Sequence, residues 1–249
     1  SFTIIKRAAF VTPNAASKIY GESDSPFGGA LAGFLAADGV SASYNRTAGE
    51  TVGSYIVSAT LSPAGVLGNY DIAYNTATFT INLRPASVTP NPASKTYGVA
   101  DPAFTGTLIG FIAADGVTAS YSRIAGETVA GSPYTISAIL SPTGVLANYD
   151  IAYNTANFTI LQASQAITVT QEPPPSAYFG QAFTVAATAS SGLIVAINSS
   201  GSCSGLGSNS ALITMTAGSG TCAITFDQIG DSNYQAALQV LRDVTALNT

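Results

Sequence analysis

Lys18, Glu50 and Asn69 recur as Lys95, Glu127 and Asn148, and a Lys, an Asn and a carboxylate are the parts of an internal isopeptide cross-link. The Lys amine would be desolvated and neutral, beside an acid that shuttles protons. An ion pair between Lys and Glu, with the Asn in a turn, is the simpler and stronger reading of the same residues. Asp24, Asp38, Glu50 and Asp71 recur as Asp101, Asp115, Glu127 and Asp150, which raises paired-carboxylate hydrolysis. A site duplicated in each unit, with no Trp to hold a sugar, argues against it and leaves these acids bonding backbone N–H groups in turns and caps. Calcium needs several converging oxygens. Asp24, Asp101 and Asp231 sit beside Ser or Pro, so Asp38 or Glu50 at a domain joint is the place a calcium ion would take. No other cofactor is expected.

Other chemistries fall away by composition. The chain has no His, which removes the nucleophile–His–acid triad and zinc sites built on His or four Cys. No Gly-rich phosphate loop runs into a Lys-Ser/Thr pair. With 8 Lys and Arg against 13 Asp and Glu, the chain lacks the basic footprint of a nucleic-acid binder. No stretch approaches the ~20 apolar residues of a membrane-spanning helix. The sequence therefore points to a non-enzyme. Tyr20, Tyr44, Tyr55, Tyr70 and Tyr74 all have partners in a second copy and could form sugar platforms, but most lie on inward strand faces, where packing is the stronger reading.

These residues are positioned by a repeat. Ser17-Lys18-Ile19-Tyr20-Gly21 returns as Ser94-Lys95-Thr96-Tyr97-Gly98, and a step of 77 residues carries Tyr20 to Tyr97, Asp38 to Asp115 and Glu50 to Glu127. A period of that length is one folded unit used more than once. Apolar residues make up 47% of the 249 and charged ones only 8%, against about a quarter in ordinary domains. Solubility then rests on Ser, Thr, Asn and Gly, as suits β domains with neutral outer faces.

Tyr55, Val57, Ala59 and Leu61 alternate with small or polar residues, the period of a half-buried strand. Tyr70 to Tyr74 followed by Phe79 and Ile81 reads as a hairpin closing the unit. The divisions expected are residues 1–7 as the last strand of a preceding copy, since Phe2-Thr3-Ile4 matches Phe79-Thr80-Ile81 and Phe158-Thr159-Ile160, then repeats at 8–84 and 85–163 and a third domain at 164–249. The short apolar joint Asn82–Ser87 implies stiff stacking of neighbours. In the third domain Phe183, Val185 and Ala187 form one strand face, and Cys222, Ile224 and Phe226 another. A Gly/Ser/Asn loop is expected between Cys203 and Cys222. Those two cysteines form either one disulfide or a pair of reduced buried thiols. The disulfide is favoured, and would tie neighbouring strands or a hairpin.

The two repeats resemble the MBG ("mostly beta, glycine-rich") family of YGX type. The resemblance rests on the Ser-Lys-X-Tyr-Gly runs at Lys18, Tyr20 and Gly21 and at Lys95, Tyr97 and Gly98. It continues through the Ala-Gly-Glu turns at Glu50 and Glu127, the Asn-Tyr pairs at Tyr70 and Tyr149, and the closing Phe-Thr-Ile strands. The third domain resembles a bacterial Ig-like domain through Ala189–Leu193, Gly220-Thr221-Cys222 and Gly230–Ala237. The resemblance implies an all-β array of small sandwich-like domains in a secreted or cell-surface bacterial protein, often an adhesin, serving as stalk. The partners it implies are neighbouring repeats of the chain, with a glycan or host surface protein as ligand if the domains themselves bind. It implies no catalytic residues.

Overall fold

A computed structural model describes residues 2–248. The described residues are all-β apart from short helical turns. Repeat one contributes β1 (Arg7–Pro13), β2 (Ala16–Ile19), β3 (Gly29–Ala32), β4 (Ser41–Arg46), β5 (Gly53–Ser62), β6 (Tyr70–Tyr74) and β7 (Ala77–Asn82). They form two sheets, ordered β3-β1-β6 and β2-β7-β5-β4. The β1–β6 and β2–β7 pairs are parallel, the others antiparallel.

Alternation decides what is buried. Ala9 and Val11 of β1, Val57 and Leu61 of β5, and Phe79 and Ile81 of β7 all turn inward, each large side chain contributing about 1.5–3 kcal/mol by leaving water. Gly29 lies where a Cβ would stand 2.5 Å from the Thr12 carbonyl oxygen and 2.6 Å from the Tyr44 ring, so only glycine lets β3 close on β1 here.

Repeat two contributes β8 (Arg84–Pro90), β9 (Ala93–Thr96), β10 (Gly106–Ile109), β11 (Thr118–Arg123), β12 (Tyr134–Ser141), β13 (Tyr149–Tyr153) and β14 (Ala156–Leu161). Its sheets, β10-β8-β13 and β11-β12-β14-β9, reproduce the same orders. The third domain holds β15 (Ile167–Gln171), β16 (Ser176–Tyr178), β17 (Ala182–Ala189), β18 (Ala196–Gly201), β19 (Cys203–Ser204), β20 (Leu206–Ser208), β21 (Ser210–Met215), β22 (Thr221–Asp227) and β23 (Val240–Leu247). Its main path runs β15-β17-β21-β20-β18-β22-β23-β16, with β19 on β21. The core is one cluster that includes Val185, Ile197, Ile213, Cys222, Ile224, Phe226 and Val244.

Compactness does not follow the sequence repeat. One unit holds the chain up to Asn91 with residues 105–122 and 137–155; the other holds residues 92–104, 123–136 and the chain from Ala156 onward. The second repeat is thus shared between them.

Two expectations are corrected. The strands β6 and β7 make no hairpin: β6 pairs with β1 and β7 with β5 and β2, so Asn75-Thr76 carries the chain from one sheet to the other. The segment between the cysteines is no loop. It contains β20 and β21, joined at Asn209 with φ 62°, and Ala211, Ile213 and Met215 of β21 are buried. Residues 2–6 lie outside every strand, whereas Phe79 and Ile81, their counterparts 77 residues on, are held between β2 and β5 of their own repeat.

Candidate functional site

Two kinds of polar construction stand out: a charge cluster inside each repeat, and a joint where one domain meets the next. In repeat one, β2 presents Lys18 and β4 presents Arg46, with side chains only 4% and 6% exposed. Asp24 bridges them, 2.7 Å from the Lys18 amine and 2.6 Å from Arg46 Nε. Glu50, on the turn after β4, accepts from both cations with its own two oxygens. The Arg46 guanidinium also lies over the rings of Phe79 and Tyr55, at 4.9 and 5.1 Å from their centroids. Two cations and two carboxylates thus neutralise one another over an aromatic floor, the planar fork of Arg suiting the bridging role.

Repeat two rebuilds the cluster with Lys95, Asp101, Arg123 and Glu127. The Asp101 carboxylate is 2.7 Å from Lys95 and 2.6 Å from Arg123 Nε, and Glu127 accepts from both. The Arg123 guanidinium lies 4.7 Å from the Phe158 centroid and 5.3 Å from that of Tyr134.

The titration directions follow from these contacts. Burial by itself pushes the Lys18 amine down, but hydrogen bonds and charge from Asp24 and Glu50 outweigh it and hold it above its ordinary value. Hydrogen bonds from Arg46, then Lys18, hold the Asp24 carboxyl low against the opposing effect of burial. Arg123 and then Lys95 bring Asp101 to about 2.

A nucleophilic lysine must be neutral; here two carboxylates keep the amine protonated, which favours the ion pair over cross-link chemistry. Asn69 is not a partner of Lys18. Its backbone groups bond to Val66 and Arg7 at the entry to β6.

Between repeats one and two, only Leu83 separates β7 from β8. The Tyr20 hydroxyl donates to the Asp115 carboxylate at 3.2 Å. Its ring meets the Tyr149 ring edge-on, with centroids 5.5 Å apart and planes at 78°, a favourable aromatic arrangement. Tyr149 itself donates to Asp115. The Val52 N–H donates to Asn148 Oδ1 at 3.0 Å, and Asn148 is buried. The Arg84 guanidinium donates to the carbonyls of Gly110 and Tyr20 at 2.8 and 3.3 Å. Gly21, at φ 82°, is close enough to Ile112 that a Cβ there would stand 2.1 Å from its Cδ1.

The joint to the third domain uses the same parts. Tyr97 meets Tyr234 edge-on, with centroids 5.3 Å apart and planes at 79°, and the Val129 N–H donates to Asn233 Oδ1 at 3.0 Å. Here the Asn-Tyr pair sits on a loop. The Asp231 carboxylate sets it by accepting from the backbone N–H groups of Asn233 and Tyr234 at 2.7 and 2.8 Å. Gln162 then donates to the Asp231 carbonyl at 2.8 Å.

The sequence-predicted residues therefore divide. Lys18, Glu50, Lys95 and Glu127 lie in the clusters, while Tyr20, Gly21, Tyr97 and Tyr149 lie in the joints. Tyr70 donates to Asp38 within repeat one. Cys203 and Cys222 are joined in a disulfide with Cα atoms 5.1 Å apart, tying β19 to β22.

Sequence reasoning missed Arg46 and Arg123, although both stand at the 77-residue step. It also missed the resemblance of Ser176–Gly180 to the Tyr-Gly turns. Phe179 N–H donates to Leu247 O as Tyr20 N–H does to Asn82 O and Tyr97 N–H to Leu161 O.

The family model described as MBG domain (YGX type) matches residues 9–80 and 86–159. No curated protein matches the chain. Among solved structures, the chain is similar to the immunoglobulin domains 1–5 of Sidekick-1, at 12% identity over 96% of this chain and 59% of that one, with a TM-score of 0.34. It is similar to the titin domains I67–I69 in an E-to-A mutated variant, at 10% identity over 100% of this chain and 98% of that one, with a TM-score of 0.35. It is also similar to the fibronectin(III)-like modules of Clostridium thermocellum CbhA, at 13% identity over 82% and 94%, with a TM-score of 0.27. The chain spans about three-fifths of the Sidekick-1 fragment. These likenesses are too remote to bear on function.

Proposed function

Because the chain belongs to the MBG family of YGX type, we propose that it is a non-catalytic spacer segment of a secreted or cell-surface bacterial protein of the adhesin kind. The observation that carries this reading is the repeated joint: a buried or half-buried Asn amide taking a Val N–H and a Tyr pair meeting edge-on, used at both domain boundaries. A spacer needs neighbours that move together, and a short connection with directional contacts at each joint supports that reading. The Cys203–Cys222 bond suits an oxidising compartment, and among the described residues no helix is long and apolar enough to cross a membrane. Nuclear magnetic relaxation of the dissolved chain tests the reading. One common tumbling time for all three domains supports it, and separate times for each domain would overturn it.

A second reading makes the domains themselves a binding module for a glycan or a host surface protein. It is favoured by Tyr74, Tyr153 and Tyr178, each about half exposed and free to stack on a sugar. A glycan array probed with this chain stays blank under the spacer reading. Saturable binding lost in Tyr74→Ala or Tyr153→Ala would establish the module instead.

A further inference from the structure

The two joints share an Asn amide and a Tyr pair, but the second leaves part of the first one's construction undone. At the first joint three groups of the Tyr20-Gly21 turn are met from repeat two. The Tyr20 hydroxyl donates to the Asp115 carboxylate, the Tyr20 carbonyl accepts from the Arg84 guanidinium, and Gly21 packs on the end of Ile112. At the second joint the matching groups are open. Among the described residues nothing bonds to the Tyr97 hydroxyl or carbonyl, and a Cβ added at Gly98 would have no atom within 4 Å.

The difference lies in the residues of the third domain. Counting from the Phe-Thr-Ile strands, Ala163 stands where Arg84 does, and it is bridged to Tyr234. The Asp231 carboxylate turns back to its own loop, where it bonds the N–H groups of Asn233 and Tyr234. This domain therefore brings the amide and the ring, without an acceptor for the phenol, a guanidinium or an aliphatic tip. Tyr97 and Gly98 line a recess of about 590 Å³ together with Val99, Asp101 and Glu127, a size common among binding sites. Val99 is 57% exposed and offers apolar surface; the Glu127 side chain is 65% exposed and offers negative charge. The recess adjoins an interface already in place, and the first joint shows what fits a turn of this kind.

We propose that the recess beside Tyr97 and Gly98 is a docking site for a segment of another protein, of the form aliphatic-x-x-Asp with a guanidinium beside it. The aliphatic side chain rests on Gly98 and Val99, and the carboxylate accepts from the Tyr97 hydroxyl. The guanidinium donates to the Tyr97 carbonyl, on the side where Glu127 adds its charge. Ile112, Asp115 and Arg84 are so arranged at the first joint, with Ala113–Asp115 forming a single helical turn after Ile112. One apolar tip and two polar contacts give weak, reversible binding, with a dissociation constant on the order of 1 mM. The inference goes beyond the spacer reading: a spacer can carry such a partner, and the site can fail its test while relaxation still gives one tumbling time.

The test titrates the full chain with a capped peptide of sequence Arg-Gly-Phe-Ile-Ala-Ala-Asp-Gly, which is residues 110–116 behind an arginine, and follows backbone amide shifts by nuclear magnetic resonance. Saturable shifts centred on Gly98, Val99 and Ala100 are expected. Tyr97→Phe in the protein, or Asp replaced by Asn in the peptide, weakens binding about fivefold or more. The two changes together weaken it no further than one alone, because they remove the same bond. The peptide change leaves the protein untouched, so a loss there cannot come from misfolding. Three results would overturn the proposal. One is the absence of saturable shifts at those amides with about 10 mM peptide, ten times the expected constant. Another is shifts centred on Gly21 and Ile112, which would mean that the peptide exchanges with the chain's own segment. The third is equal binding of free isoleucine, which would make the ligand a small amino acid and not a protein segment.

Discussion

Asn148 accepts the Val52 N–H across the first joint at 3.0 Å, and Asn233 accepts the Val129 N–H across the second at the same distance. One amide per boundary thus satisfies a backbone donor that would otherwise depend on water. Asn148→Ala leaves the Val52 N–H without its partner at a covered joint, which costs about 1–3 kcal/mol. Urea unfolding should show that loss for Asn148→Ala, a similar or smaller one for the less buried Asn233→Ala, and none for Asn69→Ala. Equal effects at all three positions would show that the joints are not what the amides serve.

The charge clusters depend on the fork of arginine. Arg123→Lys keeps the charge but cannot reach Asp101 and Glu127 together while lying over Phe158 and Tyr134. The expected loss is about 1.5–3 kcal/mol, the range for hydrogen bonds to charged groups. Equilibrium denaturation of the variant checks it, and a stability equal to that of the parent would refute the bridging role.

Acid stability follows from Asp101. Its folded-state value of about 2 lies below the ordinary carboxylate value. The contribution is therefore complete above about pH 4 and disappears as pH falls toward about 2. Asp24, Glu50 and Glu127 are shifted in the same direction. On the alkaline side Lys18 and Lys95 are raised, so their contribution is whole below the ordinary lysine value and is lost only above it. Melting followed from pH 7 to pH 2 should fall chiefly in the last two units, and Asp101→Asn should flatten that fall.

Reducing the Cys203–Cys222 bond frees a 19-residue separation and removes about 3 kcal/mol in the chain-entropy view. Calorimetry of the reduced protein should move the transition of the third domain and leave the transition of repeat one in place. Movement of both together would mean that the domains unfold as one.

Gly21 and Gly98 share a positive φ, 82° and 79°, yet only Gly21 has a neighbour within reach of an added Cβ. Alanine at either costs about 1 kcal/mol for the backbone alone. Gly21→Ala must also push Ile112 aside, so its midpoint should fall further than that of Gly98→Ala. Thermal melts of the pair decide it.

Much of this architecture is legible in the residues. Period-two burial along Tyr55–Leu61 and the 77-residue step identify the strands and the repeat, because inward and outward faces alternate wherever a strand is half-buried. Pairing is less legible. Tyr70–Tyr74 and Ala77–Asn82 are near neighbours in sequence and look like a hairpin, but nothing local states that they join different sheets. Ser210–Met215 was hidden by its flanks of Gly, Ser and Asn, although Ala211, Ile213 and Met215 carry the alternation. Within the clusters, Lys18 and Glu50 were visible as a recurring pair. Arg46 and Asp24 were not seen with them, since it takes the fold to bring β2, β4 and two turns to one point. The joint chemistry of Tyr20 and Asp115 spans 95 residues and follows no local rule.

The loop held by Asp231 gives the third domain its place in the series although its strand order differs from that of the repeats. A handful of residues on a turn reproduces what β13 supplies in repeat two. A domain of different strand order thus meets repeat two through an acid-pinned Asn-Tyr tip alone, with the Val129 N–H and the Tyr97 ring as the groups it engages.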